Sequence, residues 1–318
     1  MTTVVNSPSR TSTCTIALIS HILILLVILP VAAPSFAEQP STLSSHPDPA
    51  ALVRKAVQSE VRAARDDTAR FLFRGTKTTP KGSTTRIYVE TKDATAGLVV
   101  AYNGKALTAE QQKDEEARVE RFINHPEELQ KKREQEHENA EHTLRIMRAL
   151  PDAFLFEYAG EQTGSEGIGR AGARLIKLKF RPNPLYQPPS RVEEVLTGMQ
   201  GYVLVDATDY RLASIDSTLF KEVGFGWGIL GHLDRGGRFV VQQQEVGDDL
   251  WEISCMRLNL TGKILLFKNL SVISTEIFSG FKRVPPDLTF AQALDLLKKE
   301  ESATGAENSC CQLARQVQ

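Results

Sequence analysis

The second half of this chain alternates apolar and polar residues through one short segment after another. The segments that show the pattern are 201–208, 210–220, 237–246, 250–260, 263–272 and 274–284. Successive side chains of a β-strand point to opposite faces of a sheet, so each segment is predicted to be a strand with two unlike faces. Turn residues separate neighbouring segments, which predicts antiparallel pairing.

Earlier segments carry the same pattern, at 69–76, 84–91, 96–103, 153–160 and 173–180. Together the segments predict an antiparallel sheet of about eleven strands. A sheet of that many strands curls strongly, into a barrel or most of one. The predicted fold class is therefore mainly β (α+β).

Helices are predicted before, within and after the strands. Asp48 and Pro49 suit the cap and first position of an amphipathic helix that runs to about Asp67. Ser190 and Glu193 form a capping box that opens a short helix. Residues 289–299 have the apolar spacing of a closing amphipathic helix.

The run from 108 to 150 is a charged helical insertion, dense in Glu, Lys, Arg and Gln. It is predicted to form two helices that are split at Asn124-His125-Pro126. Helices this polar bury little, which favours a solvated hairpin lying across the sheet. The alternative is a movable lid, or an arm that contacts another protein.

The N-terminus has the layout of a secretory signal peptide. A polar stretch precedes an apolar run from Ile16 to Ala33, and small residues mark a cleavage point after Ala37. The alternative is an uncleaved membrane anchor. The mature protein is expected to be exported to the periplasm and not to span the membrane.

These features divide the chain into four parts. They are the signal peptide at 1–37, a flexible leader and N-terminal helix at 38–67, the curved sheet domain with its insertion at 68–285, and a C-terminal helix and disordered tail at 286–318.

Charge and cysteine content exclude some classes of function. The formal net charge is −1, so no basic face for nucleic acid is expected. Cleavage of the signal peptide leaves Cys255, Cys310 and Cys311, without a CxxC pair, so neither zinc binding nor dithiol redox chemistry is indicated.

Several local motifs have simpler structural explanations. Residues 167–172 match GxGxxG, but a strand follows where a dinucleotide site needs a helix, so a mobile hairpin loop is predicted. Two His/Glu pairs at helical spacing, within 137–142, are expected to be a solvated charged face rather than metal ligands. His232 and Asp234 fit a turn better than a catalytic pair, because no nucleophile motif accompanies them. No cofactor and no metal are predicted.

The glycine-rich segment 225–230 carries large apolar side chains, among them Phe225 and Trp227. It is predicted either to fold back on the core as a plug, or to act as a flexible gate for an apolar ligand.

The order of these elements resembles the periplasmic lipoprotein-carrier superfamily, which includes lipoprotein-sorting carriers, their outer-membrane receptor and related envelope-stress sensors. The segments that carry the resemblance are Gly201–Asp206 followed by Tyr210–Ile215, in a strand–Asp–turn–Arg–strand order, and a later hairpin at 262–268. The resemblance implies an unclosed half-barrel whose apolar concave face holds acyl chains under a helical lid. The charged insertion departs from the compact carriers of that family.

Ten large apolar residues at alternating strand positions are candidates for lining such a cavity: Phe71, Phe73, Ile87, Val89, Phe154, Phe156, Trp251, Ile253, Leu265 and Phe267. The alternative is that they form an ordinary core under helices. Each buried CH₂ contributes about 0.8 kcal/mol, so an acyl chain can bind without a charged site.

The expected function is non-enzymatic binding of an acyl lipid or a lipidated protein in the cell envelope. One alternative is a sensor or protein-interaction module of the same fold with a filled interior, which engages another envelope protein through the 108–150 helices. A less favoured alternative is a hydrolase.

Overall fold

The computed structural model describes residues 48–66, 68–225, 231–264 and 268–302. In these ranges the helices are α1 (Pro49–Asp66), α2 (Ala109–Asn124), α3 (Pro126–Ala153), α4 (Arg191–Glu194), which a 3₁₀ turn at Val195–Gly198 extends, and α5 (290–302). The strands are β1 (Arg70–Thr79), β2 (Gly82–Val89), β3 (Ala96–Tyr102), β4 (Lys105–Ala106), β5 (Phe154–Thr163), β6 (Arg174–Pro182), β7 (Met199–Asp206), β8 (Leu212–Leu219), β9 (Val223–Phe225), β10 (Gly231–Leu233), β11 (Arg238–Gly247), β12 (Leu250–Ile264) and β13 (Lys268–Val284).

All thirteen strands belong to one antiparallel sheet. Eleven of them follow the order β4-β3-β2-β1-β13-β12-β11-β8-β7-β6-β5, and β9 and β10 form a short hairpin beside β12. The two ends of this order, β4 and β5, do not pair with each other, so the sheet is unclosed. The predicted fold class is confirmed, and the sheet has thirteen strands where about eleven were predicted.

Two details of the predicted strands are corrected. The segments 263–272 and 274–284 are not separate strands, because β13 runs unbroken for 17 residues and pairs with β12 through Ile264 and Lys268. The hairpin of β9 and β10 was not predicted. Each of these strands has only three residues, too few to show an alternating pattern.

Helix α3 shows that the sheet is strongly curved. Its Glu136 carboxylate accepts a hydrogen bond from the Thr95 N–H beside β3, at 3.1 Å, and the helix leads directly into β5. From Glu136 to Phe154 a helix rises roughly 27 Å. In a flat sheet, nine steps between neighbouring strands would separate β3 from β5 by roughly 43 Å. The two edges must therefore curl towards each other for α3 to reach both.

The helix ends follow from their sequences. Asp48 accepts hydrogen bonds from the N–H groups of Ala50 and Ala51, as its position before Pro49 predicts. Thr108 and Gln111 form a reciprocal capping box at the start of α2. The break between α2 and α3 falls at His125, before Pro126, which confirms the predicted split.

Two helical layers pack on different parts of the sheet. Helix α1 and the end of α3 cover β5 to β8, where Leu52, Val53 and Val57 of α1 join the core. Helices α2 and α5 cover β1 to β3, where Val119 and Leu294 are buried. The predicted amphipathic packing of the first and last helices agrees with these cores.

The charged α2–α3 hairpin also covers the open edge of β3. Three backbone groups on this edge find side-chain partners: Thr95 N–H donates to Glu136, Val99 N–H donates to Glu115 at 2.9 Å, and the Gly97 carbonyl accepts from Arg118 at 2.7 Å. An uncovered strand edge invites pairing with another chain. The insertion therefore takes the place of a further strand along this edge.

Candidate functional site: the inner face of the sheet and the groove beside it

One face of the sheet is largely apolar from β12 to β6. Residues directly opposite each other in neighbouring strands share a face, and one such row runs Glu276–Met256–Val241–Ile215–Val203–Leu178. We call this face the inner face. Helix α1 packs against it, since Leu178 and Val203 share a core with Leu52 and Val57.

The opposite, outer face is polar over the same strands. The neighbouring row runs Thr275–Arg257–Val240–Asp216–Tyr202–Lys179. Ile277 on this face is 52% exposed, whereas Met256 on the inner face is 1% exposed. The sheet is therefore one-sided in its middle, as its alternating pattern predicts.

Aromatic side chains fill both ends of the inner face. Near β5 and β6, the rings of Phe154 and Phe180 lie 4.6 Å apart beneath α1 and α3. At the other end, Phe73 stacks on Tyr88 at 5.2 Å and meets Phe278 edge-on at 6.0 Å. These two clusters are packed core.

Gly75 permits the close packing of the second aromatic cluster. A Cβ at this position would lie 2.8 Å from the Tyr88 ring and 2.9 Å from the Phe278 ring. Only glycine lets both rings lie this close to β1.

Apolar side chains in the middle of the inner face are only half-buried. They belong to two adjacent strands: Phe239 and Val241 on β11, and Ile215 on β8. Beside them, Lys77 forms a 2.8 Å ion pair with the buried carboxylate of Glu276. This part of the inner face leaves apolar area for a ligand, between the two aromatic clusters.

A buried ion pair fixes α1 to the sheet. Glu60 accepts two hydrogen bonds from the Arg211 guanidinium, each 2.9 Å long, and a third from the Leu212 N–H at 2.8 Å. The guanidinium also lies 5.5 Å from the ring centroid of Trp251. Asp206 orders the turn before Arg211 by accepting from the N–H groups of the next turn residues. The Asp–turn–Arg pattern thus positions α1, but nothing in the sequence marked Glu60 as the partner.

The ten candidate lining residues do not form one set. Phe71, Phe73 and Ile253 belong to one aromatic cluster, and Phe154 and Phe156 to the other. Trp251 packs in a small separate cluster with Leu175 and Leu204. Leu265 and Phe267 lie outside the described residues.

Ile87 and Val89 are placed on the other face. Ile87 is opposite Arg74, whereas Phe73 is opposite Tyr88, so the two pairs point in opposite directions. Ile87 and Val89 are buried under α2 and α5. Ile87 and Val89 therefore do not line the same face as Phe73, which corrects the prediction. The reason is that β1 and β2 are covered by apolar groups on both faces, so alternation in these strands does not identify the inner face.

Of the two candidate gate residues, Phe225 belongs to the described part of the chain. Phe225 ends β9, opposite Gly231, and Trp227 falls outside the described residues. The described residues on the two sides of the segment, Phe225 and Gly231, are paired with each other. Gly231 is in turn opposite Ile264, so the hairpin extends the β12 edge of the sheet.

A basic groove of about 510 Å³ opens between α1 and α3. Its lining contains four arginines, one acidic residue, one glutamine and three apolar residues: Arg54, Arg62, Arg65, Arg148, Asp66, Gln58, Val57, Val61 and Pro151. At one end, Arg54 pairs with Asp152 at 3.2 Å, which ties the two helices together. Nearby, burial together with the carboxylates of Glu193 and Asp152 raises the pKa of Tyr186 to about 12. The sequence did not indicate this groove, because its residues come from two helices 80 residues or more apart.

The glycine-rich loop 164–173 is held in place. Gly169 N–H donates to the Gln243 carbonyl at 2.7 Å, and Arg170 bonds Asp209 and Asp249 at 2.8 and 2.5 Å. The expectation of a mobile loop is therefore corrected, because long-range bonds to β11 fix it. The loop joins β5 to β6, so no helix start follows its GxGxxG residues as a dinucleotide site requires.

Within the described residues, one group of side chains has metal-ligand geometry. Ligand atoms of Glu222, His232 and Asp234 lie within 4.8 Å of one another. His232 Nε2 is 3.2 Å from Asp234, and Thr261 donates to Asp234 at 2.7 Å. The recorded ion pairs of His232 are with carboxylates, and no hydroxyl or thiol nucleophile is shown to contact it in this part of the chain.

None of the helices in the described ranges has the length and apolar character needed to cross a bilayer. The predicted signal peptide lies outside those ranges.

No family model and no curated protein matches this chain. Two solved structures do, each at 11% sequence identity. One is an outer membrane lipoprotein-sorting protein domain from Vibrio parahaemolyticus, with a TM-score of 0.26 over 73% of this chain and 93% of that one. The other is a DUF1329 family protein from Desulfovibrio piger, with a TM-score of 0.27 over 74% and 94%. Likeness this weak carries no argument about function, which has to come from the geometry of the sheet itself.

Proposed function

We propose that this protein is an exported, non-enzymatic protein that binds an acyl chain, free or attached to a protein, on the inner face of its curved sheet. The observation that carries the proposal is the half-buried apolar strip of Phe239, Val241 and Ile215, between the two packed aromatic clusters. Ile215 packs against the core that α1 covers. An acyl chain laid on this strip gains roughly 0.8 kcal/mol for each CH₂ that it buries. The resemblance of the sequence to lipoprotein carriers supports the same function.

The test is native mass spectrometry of the mature protein purified from its own host. We expect co-purifying acyl species on the wild type and their loss in Val241→Glu, which places a charge on the inner strip. The matched control is Ile277→Glu, which places the same charge on the exposed outer face. Circular dichroism confirms that both variants are folded. A wild type without acyl species, or equal loading of both variants, contradicts the proposal.

A second candidate is a sensor or interaction module whose interior is filled by its own side chains. The observation that favours it is the burial of Phe71, Phe73 and Phe278 in a closely packed aromatic cluster. It predicts that the wild type carries no acyl species. It also predicts that Val241→Glu changes the stability of the protein but not the set of molecules that co-purify with it. The 108–153 hairpin would then be the partner-binding element.

A further inference from the structure

We propose that the groove between α1 and α3 binds an anionic oxygen group, a carboxylate or a phosphate, through Arg62, Arg65 and Arg148. The inference deepens the proposed function, on which it rests, by assigning the ligand a negatively charged head. Its apolar chain would run from Val57 of the groove towards Ile215 of the inner strip, which packs against the same core.

The charge of the groove differs sharply from that of the whole protein. Four arginines and one aspartate line it, which gives a formal charge of +3, whereas the chain carries −1. Arg54 is paired with Asp152. Arg62, Arg65 and Arg148 form no hydrogen bond or ion pair with the residues that the structure describes. Three like charges with a single aspartate, Asp66, in the same lining repel each other, and an anion placed between them lowers that energy.

The arginines approach the groove from two sides. Arg62 and Arg65 are three residues apart on α1 and so lie on one face of the helix. Arg148 comes from α3, across the groove. A guanidinium donates two parallel hydrogen bonds to a carboxylate or phosphate, so this arrangement suits an anion with several oxygens.

Three further residues of the lining are apolar, and one of them leads inward. Val57, Val61 and Pro151 line the groove, and Val57 also packs in the core that contains Leu178 and Phe180. Pro151 lacks the N–H that would bond the Met147 carbonyl, so the helix ladder is interrupted at the groove. A volume of about 510 Å³ is in the range of small-molecule sites. The groove therefore offers a charged mouth above an apolar floor, which matches an anionic amphiphile.

The test compares two fluorescent probes with the same chain, cis-parinaric acid and its methyl ester, at about pH 8, where the carboxyl group is ionised. We expect the acid to bind the wild type at least about tenfold more tightly than the ester. The variant Arg62→Gln/Arg65→Gln/Arg148→Gln should lose that preference and bind the ester as the wild type does.

The matched control is Lys131→Gln/Arg133→Gln/Arg145→Gln. It removes the same charge from exposed positions of α3 outside the groove, and it should keep the preference. Equal binding of acid and ester by the wild type overturns the inference but leaves the proposed function standing. A preference that survives in the groove variant overturns the assignment of these arginines.

Calorimetric titration with inorganic phosphate separates a free oxyanion from a lipid head. Phosphate binding by the wild type and not by the groove variant, with neither parinaric probe bound, would keep the anion site and contradict the acyl proposal. Absence of binding by phosphate and by both probes would overturn both.

Discussion

At the scale of single residues, Glu60 contributes most to the arrangement of the site. Its carboxylate is buried, receives a bidentate guanidinium and a backbone N–H, and joins residues 151 positions apart in the chain. Removing one partner of a buried pair leaves the other charge without compensation, which is costly. The attachment of α1 to the sheet therefore depends on this side chain.

We predict that Glu60→Gln lowers the free energy of unfolding by about 3 kcal/mol. Urea denaturation measures the loss. The control is Asp152→Asn, which breaks the Arg54 pair, whose side chains are 53% and 64% exposed; it should cost less than about 1 kcal/mol. Equal losses in the two variants would show that Glu60 does not anchor α1.

Cys255 gives a second prediction at this scale. Burial raises the pKa of its thiol above the usual 9.0, and the opposing effect of Arg257 does not cancel the rise. The thiol should therefore remain protonated at about pH 8 and react slowly, because the thiolate is the reactive form. In a Cys14→Ser/Cys310→Ser/Cys311→Ser variant, Ellman's reagent should titrate Cys255 quickly only after urea is added. Rapid reaction of the folded protein would contradict this.

At the scale of elements, side chains of the α2–α3 hairpin bond backbone groups at the edge of β3, where a further strand would otherwise pair. The hairpin is nearly all polar, and Val119 is the apolar residue that α2 buries completely. What fixes it is a set of charged groups aimed at the backbone of the β3 edge. Its stability should therefore depend on charge more than that of the strands.

We predict a pH-dependent contribution from Glu115. Burial by itself would raise its pKa, but hydrogen bonds from Arg118 and the Val99 N–H lower the pKa overall. A folded-state pKa below the unfolded one gives stability that is present above about pH 4.5 and is lost as the pH falls through the folded pKa. Urea midpoints of the wild type and Glu115→Gln should differ near neutral pH and converge in acid. Exposed Glu110→Gln is the control, and a difference that does not shrink in acid would refute the prediction.

Elements with a strong local signal were predictable from the sequence. Most strands of the main path, the Asp48 cap and the break at Pro126 follow from alternation or capping chemistry, whereas the two-residue strand β4 is too short to show alternation. What escaped prediction depends on distant partners. The loop at 164–173 is fixed by β11, and the face of Ile87 is decided by α5. Neither the Glu60–Arg211 pair nor the arginine groove has a local pattern, because each forms only when α1 meets other elements.

At the scale of the whole molecule, one sheet carries both helical layers. Helix α1 packs on the inner face of β5 to β8, and α5 packs over β1 to β3, while β12 and β13 join the two halves through a long ladder. Because hydrogen-bonded strands continue without a break from one half to the other, the two halves share a single sheet.

We predict that the two halves unfold together. In urea, hydrogen-exchange protection of β2 and of β7 should be lost at the same midpoint. Met256→Ala, in the central strand β12, should lower both midpoints by the same amount, since truncating a buried Met costs about 2–5 kcal/mol. Exposed Ile273→Ala is the control. Separate midpoints would mean that the sheet unfolds as two units.

Helix α3 contacts the sheet beside β3 and leads into β5, so it connects the two sides of the unclosed sheet. A helix that is held at both sides limits how far the two edges of the sheet can separate, unless one of its attachments is broken. The attachment of α3 to β5 is covalent, whereas its recorded attachment beside β3 is the hydrogen bond that Glu136 accepts from the Thr95 N–H. Under the proposed function, a ligand with several acyl chains would therefore have to break the attachment beside β3 first. A single acyl chain could enter parallel to the strands with both attachments of α3 intact.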